Sequence, residues 1–166
     1  NLDHIFDRLR IREGEDTFLD YGSGKGRALA IAATYPFRRV LGVEMSEELV
    51  AISEQNLASV RRKRCEIVNV VHGDATAFRV PVDVNVIYFF NPFVGHILES
   101  VMQQIYASLR EAPRILRIEY VIWDFYPNRL ADYEWLTEVS MQVLPVRKNL
   151  LWFEYVNNEF DTETAG

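Results

Sequence analysis

Phe18-Leu19-Asp20-Tyr21-Gly22-Ser23-Gly24-Lys25-Gly26-Arg27 is the stretch whose reading decides the fold. A short apolar run ends in an acid, three glycines follow at every second position, and an alanine-rich run begins at Ala28. That order predicts a strand, a tight turn and a helix. The glycines let the backbone bend sharply and let a ligand approach the main chain. The helix start adds N–H groups and a partial positive charge that suit an anionic group.

Spacing separates the ligand classes that use such a turn. A phosphate-cradling P-loop needs Gly, four residues, then Gly-Lys-Ser/Thr; here Leu19 stands at the first glycine position and Gly26 follows Gly24-Lys25, so that reading fails. A dinucleotide fingerprint places Gly or Ala where this chain has Arg27, whose bulk opposes close helix–strand packing. What remains is Asp-x-Gly-x-Gly-x-Gly. An acid two residues before the first glycine repels a pyrophosphate and suits the cationic amino end of an amino-acid-like ligand.

The chain then alternates strands and helices. Arg39 to Met45 reads as a buried parallel strand ending in Glu44, roughly twenty residues past the loop, where the second strand of a βαβ unit ends. A carboxylate there can accept both ribose hydroxyls, and Met45 offers an apolar surface to an adenine ring. The alternative is an acid solvated at a strand end or helping Ser46 start a helix. Ser46 is the predicted N-cap, with Glu47 and Glu48 in the first turn and Leu49, Ile52, Leu57 and Val60 on one face. The run Arg61-Arg62-Lys63-Arg64 reads as that helix's end, complementing its dipole, rather than as a nucleic-acid patch. Ile67 to Ala75 reads as a third strand and a Gly73-Asp74 turn, with His72 directed into packing. Val84 to Phe93 is a fourth buried strand closing on Asn91-Pro92-Phe93, a sequence that also commonly ends a strand without further role.

These residues together resemble the class I (seven-stranded) S-adenosylmethionine-dependent methyltransferases. Asp20-Tyr21-Gly22-Ser23-Gly24-Lys25-Gly26 is similar to their motif I, Gly42-Val43-Glu44 to their ribose-binding strand end, and Gly73-Asp74-Ala75 to the turn that holds adenine. The resemblance spans about residues 16–156. It implies a Rossmann-like, doubly wound, mostly parallel α/β sheet of seven strands with an antiparallel C-terminal hairpin, and S-adenosylmethionine as cofactor. It implies cofactor contacts from Asp20, Tyr21, Gly22, Ser23, Gly24, Glu44, Met45, Asp74, Ala75 and Asn91, and catalysis at Asn91, Pro92 and Phe93. In the nitrogen-directed members an Asn/Asp-Pro-Pro-Tyr/Phe motif holds the target N–H groups beside an aromatic ring. This chain lacks the second Pro, a departure that loosens the match to adenine-directed members. The expectation is a methyltransferase acting on nitrogen, protein lysine before nucleic acid. A small-molecule N- or O-methyltransferase and a non-catalytic cofactor-binding domain are the alternatives.

Composition bounds the rest. One domain is expected over residues 1–156 of the 166, with a polar, acidic and mobile tail over 157–166. His96 to about Arg110 reads as a helix and Arg114 to Ile122 as a strand. Tyr133 to Glu138 reads as helical, and Val139 to Val146 and Asn149 to Val156 as strands of a hairpin whose Trp152 and Phe153 belong to the core. Glu119, Tyr120, Asp124, His96, Lys25 and Arg27 are further pocket candidates. A net charge of −6 opposes a polyanion as main substrate. The single Cys65 excludes an internal disulfide framework and suits a reducing, cytoplasmic setting, and its neighbours show no metal-ligand spacing. No run approaches the roughly 18 apolar residues of a membrane span. The chain starts at Asn1 without Met, as a fragment of a longer protein would.

Overall fold

A computed structural model describes residues 2–91, 93–145 and 147–158. Five parallel strands form the centre: Thr17–Tyr21 (β1), Arg39–Glu44 (β2), Ile67–His72 (β3), Val84–Phe90 (β4) and Arg117–Trp123 (β5). Leu136–Val143 (β6) and Leu150–Asn157 (β7) complete one sheet of order β3-β2-β1-β4-β5-β7-β6. β7 runs antiparallel to both β5 and β6, which is the expected C-terminal hairpin. The strand order reverses beside β1, and in open α/β sheets ligands bind beyond the carboxyl ends of the strands at that reversal.

Period-two alternation assigns the two faces. Phe18 of β1 packs with Ala28, Leu29 and Ala32 of helix Arg27–Ala32 (α2), with Leu57 of Glu47–Ala58 (α3), and with Ile5 and Phe6 of a short N-terminal helix, Leu2–Phe6 (α1). Leu19 and Tyr21 face the other way, toward Leu98, Val101, Met102, Ile105 and Leu109 of His96–Glu111 (α4). The sheet is therefore covered on both sides, as near-continuous apolar strands such as Val84–Phe90 require.

Several local expectations are corrected. Residues 133–138 are not helical: a 3-10 turn at Arg129–Asp132 precedes them and β6 already begins at Leu136. The spacing of Tyr133 and Leu136 imitates a helix, but pairing with β7 (Leu136 opposite Asn157) sets the register, with a bulge between Glu138 and Ser140. The far end of the expected strand, Val146, lies outside the described residues. α3 stops at Ala58 with Ser59 as C-cap, so Arg61 to Arg64 is loop and the last helical turn holds no basic residue; Arg64 instead pairs with Glu13 at 3.1 Å. The buried stripe of α3 is Val50, Ser53 and Leu57, rotated from the expected face, so Leu49 and Ile52 sit at its margin. β5 starts three residues later than Arg114, whose guanidinium instead donates to the backbone oxygens of Val84, Ser108 and Ala112. Asn157 closes β7, and its side chain accepts from Leu116 N–H and donates to Arg114 O. Beyond Asn158 the expected tail falls outside the described residues.

Candidate active site

The glycine turn is built by β2 as much as by its own glycines. Gly22 and Ser23 N–H both donate to Val43 O (2.9 and 3.0 Å), Gly24 N–H donates to the Glu44 carboxylate (2.8 Å), and Gly26 N–H donates to Ser23 O (2.8 Å). Four amides that sequence alone would offer to an anion are therefore committed to protein acceptors. Gly22, Gly24 and Gly26 all have positive φ, +73°, +53° and +74°. Their surroundings differ. A Cβ on Gly26 would lie 2.1 Å from Ser53 Oγ, whereas one on Gly22 or Gly24 would meet nothing closer than 3.8 Å, the nearest atoms being Phe93 Cζ and Gly22 O. The turn is filled from within at Gly26 and open toward solvent at Gly22 and Gly24, which leaves a ligand room against the main chain.

Glu44 stands beside that opening. Its second oxygen accepts from Ser46 N–H at 2.9 Å, so one carboxylate ties the β1–α2 turn to the start of α3. The expected alternatives for Glu44 thus meet in one side chain: it supports the helix start and keeps lone pairs for a ligand. Met45 is 72% exposed on the same edge. Asp74 is exposed and accepts from Thr76 N–H at 2.8 Å, which holds its carboxyl below the ordinary range, and Ala75 is buried beside it. His72 departs from expectation: it is exposed, with Nε2 3.0 Å from Met45 O, so it links the ends of β2 and β3 rather than packing inside.

Asp20 is buried on the α1–α3 side, and its carboxyl makes no hydrogen bond to another described residue. Burial, and after it the Glu44 carboxylate, push it up to about 7. It lines a cavity of about 370 Å³ together with Gly22 and Ser23 of the turn, Tyr88 and Phe90 of β4, and Trp123 of β5. Leu2 and Ile5 of α1 close one side, and Leu144, Arg147 and Leu150 of the β6–β7 connection close another. Tyr88 sits opposite Asp20 in register, and Glu119 opposite Tyr88. Glu119 is fully buried beneath the cavity; Trp152 Nε1–H donates to one of its oxygens at 2.7 Å and the other has no partner. Desolvation raises Glu119 to about 8 despite that hydrogen bond.

Asn91 turns away from this cavity. It has φ +44°, its N–H donates to Val121 O (2.8 Å), and its Oδ1 accepts from Trp123 N–H (3.2 Å). That backbone donor fixes which amide atom is the oxygen. Asn91 and Phe93 line a second cavity of about 360 Å³ on the opposite side of the β4 end, with Tyr120, Tyr126 and Arg129. Phe93 lines the second cavity, and its Cζ is the atom nearest a Cβ placed on Gly22, which lines the first. Pro92 lies outside the described residues. Tyr21, expected at the cofactor, points instead into the α4 side against Phe89, its hydroxyl buried without a partner. His96 and Asp124 are exposed and line neither cavity, while Lys25 and Arg27 border the first. Sequence reasoning does not reach Tyr88 or Arg147; it points to the segment before Asp16, which holds Leu2 and Ile5, and to residues 123–133, which begin at Trp123, only as stretches that set substrate choice. Only Tyr88, a hydroxyl within the apolar β4, carried a local cue.

Among the described residues no cluster of three or more His, Cys, Asp or Glu is placed to hold a metal ion, and no helix is long and apolar enough to cross a membrane.

Comparison with known proteins gives these features a context. A family model described as "Methyltransferase domain" matches residues 18–117. A Drosophila melanogaster protein named "Histone-lysine N-methyltransferase, H3 lysine-79 specific" is 24% identical over 155 residues, covering 83% of this chain. The chain spans only 8% of the length of that relative. Among solved structures, a SAM-dependent methyltransferase from Aquifex aeolicus superposes with TM-score 0.73 at 15% identity, covering 95% of this chain and 90% of the other. An RNA methyltransferase from Salinibacter ruber, solved with S-adenosyl-L-homocysteine, gives 0.62 at 19% identity over 99% and 95%.

Proposed function

The chain belongs to the methyltransferase-domain family, whose donor is S-adenosylmethionine, and on that premise we propose that it transfers the methyl group to a nitrogen atom. The observation that carries the donor reading is the open turn at Gly22 and Gly24, flanked by Glu44 on one side and the partnerless Asp20 on the other. The residues present fit the donor's chemistry. Lone pairs of Glu44 beyond those used by Gly24 and Ser46 suit ribose hydroxyls. Asp74 and Ala75 suit the edge of adenine, with exposed Met45 as its apolar neighbour. The buried carboxylate of Asp20 suits an ammonium.

Bound along this edge, S-adenosylmethionine supplies a methyl group already activated by a sulfonium. The chain's task is then to hold a nucleophile in line and exclude water. The nitrogen reading rests on Asn91 and Phe93 at the end of β4. With Trp123 N–H on one lone pair of Oδ1, Asn91 keeps a second lone pair and two N–H donors to orient an acceptor. Two acceptor classes follow. A protein lysine is supported by the likeness to the histone-lysine enzyme and by a net charge of −6, which favours a basic protein over nucleic acid. A small molecule is supported by the two cavities of about 370 and 360 Å³ that flank the end of β4, whose sizes suit one.

Calorimetry with S-adenosylhomocysteine on the wild type, Glu44→Ala and Asp74→Ala tests the donor site. Losing charge-assisted hydrogen bonds of about 1.5–3 kcal/mol predicts binding weakened roughly ten- to a hundredfold in Glu44→Ala. Wild-type binding that both substitutions leave untouched would remove the assignment. A radiolabelled-methyl screen of lysate proteins and small amines then separates the acceptor classes.

A further inference from the structure

The first chamber is apolar in its walls and cationic at its rim. Lys25 and Arg27 border it from the start of α2, and Arg147 from the β6–β7 connection across from them. Among the described residues none of the three has a carboxylate within ion-pair distance, although arginines elsewhere in the fold, such as Arg39, Arg79 and Arg117, are paired. Arg147 is held by an uncharged partner: its guanidinium lies over the Trp123 ring, 5.4 Å from the centroid. Trp123 in turn lies nearly parallel to Phe125, 6° between planes. Like Arg61, Arg62 and Lys63, these three are exposed and, among the described residues, without an ion pair; what sets them apart is that they gather on one cavity.

The charges of the donor do not balance them. S-adenosylmethionine carries one carboxylate, one ammonium and one sulfonium. Asp20 suits the ammonium, and Lys25 or Arg27, beside the glycine turn, suits the carboxylate. The other of that pair, Arg147 and the sulfonium itself are left without an anion. A protonated amine entering alone would meet like charges at the rim of a cavity walled by Leu144, Leu150 and Trp123. We propose that the acceptor is a small molecule bearing an anionic group (a carboxylate, sulfonate or phosphate) joined by an apolar body to the methylated nitrogen, and that Arg147, held on Trp123, receives the anion. This deepens the nitrogen-acceptor reading and rests on it for the reacting atom: the anion sits in the first chamber, and the apolar body carries the nitrogen to the β4 end, where Asn91 lines the second. The rim of cations is a property of the chamber in either case.

The test uses two fluorescent probes with the same ring skeleton, anilinonaphthalenesulfonate and the neutral phenylnaphthylamine, titrated with and without saturating S-adenosylhomocysteine. Arg147→Ala should weaken the sulfonate roughly tenfold, the scale of one charge-assisted contact, and leave the neutral probe within about twofold. Arg147→Lys should restore part of the loss. Arg129→Ala, in the second chamber, should change neither probe, since Arg129 already has Asp132 at 3.9 Å. The proposal is overturned if Arg147→Ala leaves sulfonate binding unchanged, if both probes weaken equally, or if Arg129→Ala produces the loss instead. Should S-adenosylhomocysteine fail to bind the wild type, the donor reading falls, and the probe comparison without it still decides the role of Arg147.

Discussion

Gly26→Ala gives the sharpest test of how the donor loop is held. Gly26 has φ +74° and ψ 23°, a left-handed conformation that costs an L residue about 1–2 kcal/mol. An added Cβ would also lie 2.1 Å from Ser53 Oγ, 3.1 Å from Ser53 Cβ and 3.3 Å from Ser53 Cα. Overpacking of this kind costs about 1–3 kcal/mol. The sum is a destabilisation of roughly 2–5 kcal/mol, which for a domain of this size lowers Tm by about 4–20 °C. Ser53 supplies the control. Its hydroxyl is buried with no partner, so Ser53→Ala alone should be neutral or stabilising by up to about 1 kcal/mol. In the double variant the 2.1 Å contact disappears while the left-handed φ remains, so about 1–2 kcal/mol of the Gly26→Ala cost should return. Urea denaturation of the four proteins measures the cycle. A Gly26→Ala cost below about 0.5 kcal/mol, or additive single effects, would refute the packing argument.

Three other outcomes are expected. Asp20 ionises only near 7, and an ammonium prefers its charged form, so affinity for S-adenosylhomocysteine should rise with pH up to about 7 and level off; in Asp20→Asn, calorimetry across pH 5 to 8 should show no such rise. Glu119 keeps its proton to about 8 when folded and only to about 4.5 when unfolded, so the folded state binds more protons between these values and stability falls as pH rises through them. The slope from this one group is at most about 1.4 kcal/mol per pH unit, and urea midpoints of Glu119→Gln should lack that part of the decline. Asn91→Gly keeps the positive φ while removing the amide; it should abolish methyl transfer and leave S-adenosylhomocysteine binding within about threefold, and transfer at the wild-type rate would misplace the acceptor.

What was legible in the sequence divides by how local its cause is. The β1–turn–α2 unit, the Ser46 cap and the apolar β4 are written in neighbouring residues, so their elements appear where the spacing places them. The β6 boundary was misread because an edge strand takes its register from β7, and because its outward Val139, Met141 and Val143 blur the alternation. Glu44, Asp74 and Asn91 each stand at a strand end, as motif spacing implies, but the direction of Asn91 depends on Trp123 N–H, thirty-two positions along the chain. The walls of the first chamber come from α1, β4, β5 and the β6–β7 connection, and only tertiary packing brings them together. No periodicity within one segment reports such a convergence.

The glycines near the site fall into two kinds, and the difference bears on how such a chain would age in evolution. Gly26 is held by Ser53, and a Cβ on Gly42 would lie 2.5 Å from Leu29 Cδ1 and 2.7 Å from Ser23 Oγ, so both positions answer to the fold's own interior. Gly22 and Gly24 border open space and answer to the visitor. A descendant that stopped binding the donor would still be forced to keep the first pair, while the second would be released to drift toward Asn or Asp, which tolerate the same left-handed backbone. A degenerate copy of this domain would thus betray itself by half a motif: interior glycines intact, ligand-facing glycines gone.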